Sequence, residues 1–130
     1  MESDQHIPEH LTLEDSYACF RPLAKVTLNK AVEMVDNAIR FCRSNGIAGL
    51  LVDITGFSGF PPPSITEKYW LIQKWAESSS SKVVVSMVAP REFIDHDKIG
   101  NTMADNRGFS ADVFAAESDA VAWIIANIST

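Results

Sequence analysis

The sequence has few of the residues on which metal, redox and disulfide chemistry depend. It contains 2 cysteines and 3 histidines among 130 residues. Cys19 and Cys42 lie in separate apolar runs and belong to no C-x-x-C pair, so we expect two buried, reduced thiols. His6 and His10 have a spacing that binds metal on a helix, but Pro8 between them disfavours a helix. We therefore predict neither a metal nor a cofactor.

Long apolar runs and positive charge are also scarce. No apolar stretch is long enough to span a bilayer, and residues 1–10 contain no apolar signal segment. The chain has 17 acidic and 11 basic residues, a formal net charge of −6. This excess of negative charge disfavours binding to nucleic acid or to an anionic membrane surface. We therefore expect a cytoplasmic protein with neither nucleic-acid nor membrane partners.

Composition and length indicate one globular domain. Apolar residues make up 46% of the chain and charged residues 22%, close to the averages of folded domains. A chain of 130 residues gives room for a single hydrophobic core. We interpret residues 1–10 as a polar lead-in and residues 11–130 as the domain.

Apolar runs bounded by turn residues predict the strands. The run Ile47–Ile54 is nearly continuously apolar, which is typical of a central strand covered on both faces. The other predicted strands are Leu11–Leu13, Tyr17–Phe20 continued by Leu23–Leu28 after Pro22, Lys82–Ala89 and Phe109–Phe114.

Helical periodicity predicts four helices between and after these strands. Asn29 is the predicted N-cap of the first helix, and Ser64 with Glu67 forms an S-x-x-E capping box at the start of the second. The third is predicted from about residue 95 to residue 106, and Ser118 is the predicted cap of the last. The predicted inward stripe of the second helix consists of Ile65, Tyr69, Ile72 and Ala76, with Leu71 and Trp75 beside it.

The order of these elements, ββαβαβαβα, predicts an α/β fold. Strands that alternate with helices form a mostly parallel sheet with helices on both faces. The two N-terminal strands are expected to add an antiparallel edge, which makes the sheet mixed.

Three segments resemble a known family. They are Leu23-Ala-Lys-Val-Thr-Leu-Asn-Lys-Ala31 before an amphipathic helix, Leu50-Leu-Val-Asp-Ile-Thr-Gly56, and Asn106-Arg-Gly-Phe…Val113-Phe…Glu117…Ala120-Val-Ala-Trp123. Together they resemble the STAS domain of bacterial anti-sigma-factor antagonists, and especially the SpoIIAA-like group. The resemblance covers roughly residues 10–128 and implies a regulatory domain that acts through a protein partner.

In the antagonists a serine in an Asp-Ser-Ser-Gly motif, at a helix N-terminus after the Val-Asp strand, is phosphorylated by the partner kinase. This sequence keeps Asp53 of the upstream pattern, but three prolines at positions 61–63 stand about where the motif belongs. Ser64 is the nearest hydroxyl at the helix start. The resemblance thus leaves phosphorylation of Ser58, Ser64 or Thr66 as a variant of the regulatory hypothesis.

The loop Gly56–Ser64 is the predicted binding segment. It follows a central strand at its carboxyl end, where open α/β sheets bind ligands, and it leads into a helix N-terminus, which favours an anion. The candidate residues for a ligand or a partner are Asp53, Gly56, Phe57, Ser58, Gly59, Phe60, Ser64 and Arg107. The structural alternative is a rigid loop whose phenylalanines cover the core, with Ser64 as a plain N-cap and Asp53 as a loop cap.

No catalytic constellation is recognisable in the sequence. No serine has an evident histidine–acid pair to activate it, and Asp95, His96 and Asp97 fit a helix start with acidic residues in its first turn. We therefore favour a non-enzymatic regulatory or protein-interaction module that presents the loop to a protein partner. The alternative is a protein, which could be an enzyme, that binds a small anionic or apolar ligand in a pocket between the loop, residues 95–97 and Arg107. A homodimer is compatible with either hypothesis.

Overall fold

Seven short strands and three helices are described in the computed structural model, which covers residues 7–94, 103–104 and 107–128. The strands are β1 (Leu11–Leu13), β2 (Ala18–Phe20), β3 (Ala24–Lys25), β4 (Gly49–Asp53), β5 (Phe57–Ser58), β6 (Val84–Val88) and β7 (Ala111–Phe114). The helices are α1 (Leu28–Ser44), α2 (Ile65–Ser79) and α3 (Glu117–Ile128), and a short 3-10 turn spans Arg91–Phe93. Within the predicted third helix, Met103 and Ala104 are described and are helical. The candidate cluster of Asp95, His96 and Asp97 lies outside the described residues.

Five of the strands form one mixed, mostly parallel sheet, as predicted. The strand order is β1-β2-β4-β6-β7, and every neighbouring pair is parallel except β1 with β2. The predicted antiparallel edge is confirmed for β1, which runs antiparallel to β2. It is wrong for β2, which runs parallel to β4. The chain passes through α1 between β2 and β4, and such a crossover returns it in the same direction.

The segment predicted as the strand Leu23–Leu28 has a different structure. Only β3 is extended there, and it leaves the main sheet to pair in parallel with β5. Helix α1 then begins at Leu28, with Thr27 rather than Asn29 as its N-cap: the Thr27 hydroxyl accepts a hydrogen bond from the Lys30 N–H at 3.2 Å. Threonine and asparagine both cap helices well, so the sequence alone did not distinguish the two positions.

The helices cover the sheet on both faces and bury the central strand. Leu50 and Val52 of β4 pack into the core formed with α1 and α2, and Leu51 points to the opposite core, formed with α3. All three side chains are fully buried. This alternation confirms that β4 is a central strand covered on both sides, as its continuous apolar run predicted.

The inward face of α2 is rotated from the predicted stripe. Its buried apolar side chains are Leu71, Ile72 and Trp75, while Ile65 and Tyr69 are 61% and 52% exposed. At 3.6 residues per turn, Tyr69 is rotated by roughly 120° from Trp75, and Ile65 by roughly 80°. The buried stripe is centred near Trp75, so the predicted inward positions of Ile65 and Tyr69 are wrong.

A buried polar contact joins α1 to α2. The Asp36 side chain is 2% exposed, and its Oδ1 accepts a hydrogen bond from the Ser78 hydroxyl at 2.5 Å. Its Oδ2 lies 3.0 Å from Nε of Arg40, and Nη1 of Arg43 donates to the Ser78 carbonyl oxygen at 3.3 Å. The carboxylate is thus buried with partners on both oxygens, as a buried charge requires.

Smaller features agree with the sequence analysis. Cys19 and Cys42 are free and buried, as predicted. Helix α3 begins at Glu117, one residue before the predicted cap Ser118, a difference within the ordinary uncertainty of helix ends. Among the described helices, none is long and apolar enough to cross a membrane.

Candidate functional site

An apolar cavity lies between α1, α2 and one face of the sheet, and the Gly56–Ser64 loop is at one end of it. Its volume is about 140 Å³. From α1 and α2 it is lined by Leu28, Ala31, Val32, Val35, Lys68, Leu71, Ile72 and Trp75. From the strands, the loops and the C-terminal part of the chain it is lined by Ile54, Phe57, Phe60, Pro63, Val85, Met87, Ala89, Phe93, Ala104, Phe109, Ala111, Asp112 and Val113. Lys68 and Asp112 are the ionisable residues among these described lining residues, and the others are apolar.

The predicted binding loop forms one end of this cavity. Phe57 and Phe60, which the sequence analysis assigned to a ligand or a partner, are half-buried and contribute to the lining. The ring centroids of Phe57 and Phe60 are 6.1 Å apart, and Phe60 is also 6.1 Å from Phe93 in a T-shaped contact at 88°. Three phenylalanine rings thus form a continuous row at the loop end of the cavity.

The loop is attached to the segment before α1 by the β3–β5 pair. The Ala24 N–H donates to the Gly56 carbonyl oxygen at 3.1 Å, and the Val26 N–H donates to that of Ser58 at 2.8 Å. Backbone approaches this close leave no room for side chains at the two loop glycines. A Cβ on Gly56 would lie 2.4 Å from the Pro22 carbonyl oxygen. This is the physical reason for glycine at that candidate position.

Gly59 has a second reason to be glycine. Its φ is +105°, a backbone conformation that other residues rarely adopt, and a Cβ there would lie 2.4 Å from the Val26 carbonyl oxygen. The loop conformation that brings Phe57 and Phe60 to the cavity therefore depends on both glycines.

Asp53 lies at the start of the loop and stabilises its first turn. Its Oδ1 accepts hydrogen bonds from the Thr55 N–H at 2.9 Å and from the Thr55 hydroxyl at 2.6 Å. This is an Asx turn, in which a side chain replaces a backbone acceptor. Asp53 is not among the described lining residues, so the structure gives it the loop-capping geometry considered in the sequence analysis.

The candidate serines have different environments. Ser64 forms the predicted capping box: its hydroxyl accepts from the Glu67 N–H at 3.1 Å, and Glu67 Oε1 accepts from the Ser64 N–H at 2.8 Å. Ser58 is exposed and belongs to β5, and Thr66 is exposed in the first turn of α2. The hydroxyl of Ser64 is thus engaged in the helix cap, while Ser58 and Thr66 face solvent.

Arg107 contacts α2 and is not among the described lining residues of the cavity. Its guanidinium carbon lies 4.9 Å from the centroid of the Tyr69 ring, a cation–π contact on the outer side of α2. Tyr69, Ile65 and the 41% exposed Trp70 form an exposed apolar surface on the first two turns of that helix. The structure therefore separates Arg107 and this surface from the described cavity lining.

The sequence analysis missed several lining residues. The sequence contained a signal for Phe93. Phe93 follows Pro90, which comes shortly after the end of β6, so Phe93 lies near the carboxyl end of that strand. Trp75 was expected beside the core stripe, and the structure shows its indole N–H donating to the Val32 carbonyl oxygen at 3.1 Å. Within residues 7–94, 103–104 and 107–128, no group of three histidine, cysteine, aspartate or glutamate side chains is placed to hold a metal ion.

Comparison with known proteins adds no relative. Neither the protein-family models nor the curated protein sequences contain a match to this chain. The resemblance to the STAS family therefore stays a prediction, and the functional argument depends on the site itself.

Proposed function

We propose that the protein binds a small apolar molecule in the cavity beneath the Gly56–Ser64 loop. The observation that carries this proposal is the apolar cavity of about 140 Å³ between the helices and the sheet, which reaches the carboxyl ends of β4 and β6 at Ile54 and Ala89. An apolar protein cavity of roughly 150 Å³ stays dry and binds benzene, so the available space suits a molecule of one ring. The location agrees with the general position of ligands in open α/β folds.

The loop is held in position at the end of the cavity. The β3–β5 pair and the Asp53 turn hold the loop in place before any ligand arrives. A binding site formed in advance loses less conformational freedom on binding, which favours affinity. The proposal therefore keeps the loop as the functional segment but directs its phenylalanines inward, toward a ligand.

A cavity-filling variant tests this proposal. Ala31 lines the cavity from α1 and is buried, so Ala31→Leu should fill the space and abolish benzene binding measured by NMR titration. Ala111→Val fills it from the sheet side. Ala122→Leu, at an exposed position of α3, is the matched control and should bind benzene as the native protein does. The proposal is wrong if the native protein does not bind benzene near its solubility limit, or if both filled variants still bind it.

A second candidate function is docking to a regulatory protein partner, as the STAS resemblance implies. The specific observation that favours it is the exposed surface of Ile65, Tyr69 and Trp70, which adjoins the C-terminal end of the loop. Neighbouring exposed apolar side chains are typical of protein interfaces. Phosphorylation of Thr66 would place negative charge in the first turn of α2, next to Ile65, and phosphorylation of Ser58 would place it on the loop. Both candidate functions are proposed for the cytoplasm, without nucleic acid or membrane, in keeping with the net charge of −6.

The two candidates respond differently to a change of the outer surface. Tyr69→Ser should leave benzene binding unchanged, because Tyr69 is not among the described lining residues. The same change should prevent partner capture if the α2 surface docks a protein. Mass spectrometry of proteins captured by native and Tyr69→Ser chains decides the second candidate, and a partner captured equally by both contradicts it.

A further inference from the structure

We infer that the cavity selects aromatic rings over saturated rings of similar size, and that Phe60 is the residue that sets this selectivity. The inference rests on the proposed function, since it specifies the class of molecule that the cavity binds. It is carried by the arrangement of aromatic side chains in the wall rather than by the cavity volume.

Phe60 occupies the middle of the phenylalanine row. Its ring is tilted by 58° to Phe57 and is at 88° to Phe93, with centroids 6.1 Å apart in both pairs. In such contacts the positive edge of one ring meets the negative face of another. The Phe60 ring also lines the cavity, so an aromatic ring bound beside it can make a contact of the same kind, whereas a saturated ring offers no such charge distribution.

Trp75 gives the cavity a second aromatic wall, from α2. The Trp75 indole is held in one orientation by its hydrogen bond to the Val32 carbonyl oxygen at 3.1 Å. Trp75 and Phe60 both contribute to the lining, so a ring in the cavity has an aromatic side chain from α2 and another from the loop. The orientation of both walls is set before binding, so a matching ligand ring does not have to reorganise them.

Aromatic contacts of this kind strengthen binding beyond the effect of buried area. The additional attraction corresponds to roughly two- to tenfold in affinity for each ring pair. Phe60 differs from Trp75 because a phenylalanine side chain forms no hydrogen bond, so its replacement leaves the bond between Trp75 and Val32 in place. Phe60→Leu keeps an apolar side chain and removes the aromatic charge distribution.

The experiment compares the affinities of benzene and cyclohexane by NMR titration of the full chain. Each affinity is divided by the partition coefficient of that ligand from water into a hydrocarbon solvent, which removes the hydrophobic effect. We expect the native protein to prefer benzene at least twofold on this scale. We expect Phe60→Leu to lower the preference by about twofold or more, because one aromatic contact is lost while Trp75 remains, and to leave cyclohexane affinity within twofold.

The matched control is Phe114→Leu. Phe114 packs against Trp123 on the other face of the sheet, with ring centroids 6.4 Å apart, so this variant should keep the native preference. Phe93→Leu removes the next ring of the row, and a reduced preference is expected there too. It serves as the test if Phe60→Leu does not unfold cooperatively.

The outcomes separate this inference from the proposed function. If the native protein binds both ligands with equal corrected affinity, the cavity is confirmed as a binding site and the aromatic selectivity is wrong. If Phe60→Leu keeps the native preference, or weakens both ligands equally, Phe60 does not set the selectivity. If the native protein binds neither ligand, the proposed function itself is overturned, and the selectivity with it.

Discussion

The indole N–H of Trp75 donates a hydrogen bond to the backbone carbonyl oxygen of Val32, 43 residues earlier in the chain. The bond links α2 to α1 beside the cavity, and both residues line it. One contact thus fixes the rotation of α2, positions an aromatic wall of the candidate site and turns Tyr69 outward.

Trp75→Phe should lower the free energy of unfolding by about 2 kcal/mol, because it removes this hydrogen bond and part of a buried side chain. Urea unfolding followed by circular dichroism measures the change. Trp70→Phe is the control: Trp70 is on the opposite side of the helix and 41% exposed, so its effect should stay within about 0.5 kcal/mol. Equal effects of the two variants would show that the bond contributes nothing to stability.

Gly59→Ala should destabilise the protein by about 2 kcal/mol or more, because the new Cβ would meet the Val26 carbonyl oxygen at 2.4 Å in addition to the strain of a φ of +105°. Gly46→Ala separates the two causes. Gly46 has a φ of +70° but nothing within 4 Å of an added Cβ, so about 1 kcal/mol of strain is expected. Denaturant unfolding compares the variants, and a smaller loss at Gly59 than at Gly46 would contradict the close approach of the loop. Only Gly59→Ala should also weaken benzene binding.

Asp36→Ala should lower the free energy of unfolding by about 2–3 kcal/mol, because it leaves the buried Ser78 hydroxyl without the carboxylate that accepts its hydrogen bond. The control lies one turn earlier on α1. Glu33 forms an exposed ion pair with Lys30 at 3.4 Å, so Glu33→Ala should change stability by less than about 0.5 kcal/mol. Thermal and urea unfolding give both values. Similar losses in the two variants would mean that the buried contact is no stronger than a surface pair.

We expect the free energy of unfolding to fall with rising pH in the alkaline range, because the Cys42 thiol is buried. Burial raises the pKa of its thiol from the ordinary value of 9.0 to about 12. In the unfolded chain the thiol ionises near pH 9, while the folded protein keeps its proton, so the stabilising contribution is complete below pH 9 and is lost between pH 9 and 12. Urea unfolding at pH 8 to 11 should show a fall that is shallower in Cys42→Ala, by up to about 1.4 kcal/mol per pH unit. The same pH dependence in the variant and the native protein would contradict the raised pKa.

The parts of the fold that the sequence predicted well depend on local patterns. The continuous apolar run of β4 and the S-x-x-E box at Ser64 need only a few adjacent residues to be recognised, and the structure has both. Strands alternating with helices were sufficient to predict a mostly parallel sheet. The first helix boundary was wrong by two residues, because both Thr27 and Asn29 can cap a helix and asparagine is the more strongly preferred of the two in isolation.

The errors concern relationships between distant residues. The pairing of Ala24 with Phe57 gave no signal in either segment, since a two-residue strand has no periodicity. The outward position of Tyr69 depends on how α2 rotates against α1, which the stripe on α2 alone does not determine. For the same reason the sequence identified Phe57 and Phe60 as candidate site residues but not the cavity that they line, to which Phe93 and Trp75 contribute from other elements.

Hydrogen exchange in the β3–β5 pair can report movement of the loop separately from opening of the main sheet. The Ala24 and Val26 N–H groups donate hydrogen bonds to carbonyl oxygens of the loop. These bonds belong to the two-stranded β3–β5 sheet and not to the five-stranded sheet. Amide hydrogens exchange with solvent when their own bonds open, and local openings require less free energy than global unfolding. Exchange at these two amides therefore reports how often the loop detaches while the five-stranded sheet stays intact, and a molecule held beneath the loop should slow that exchange.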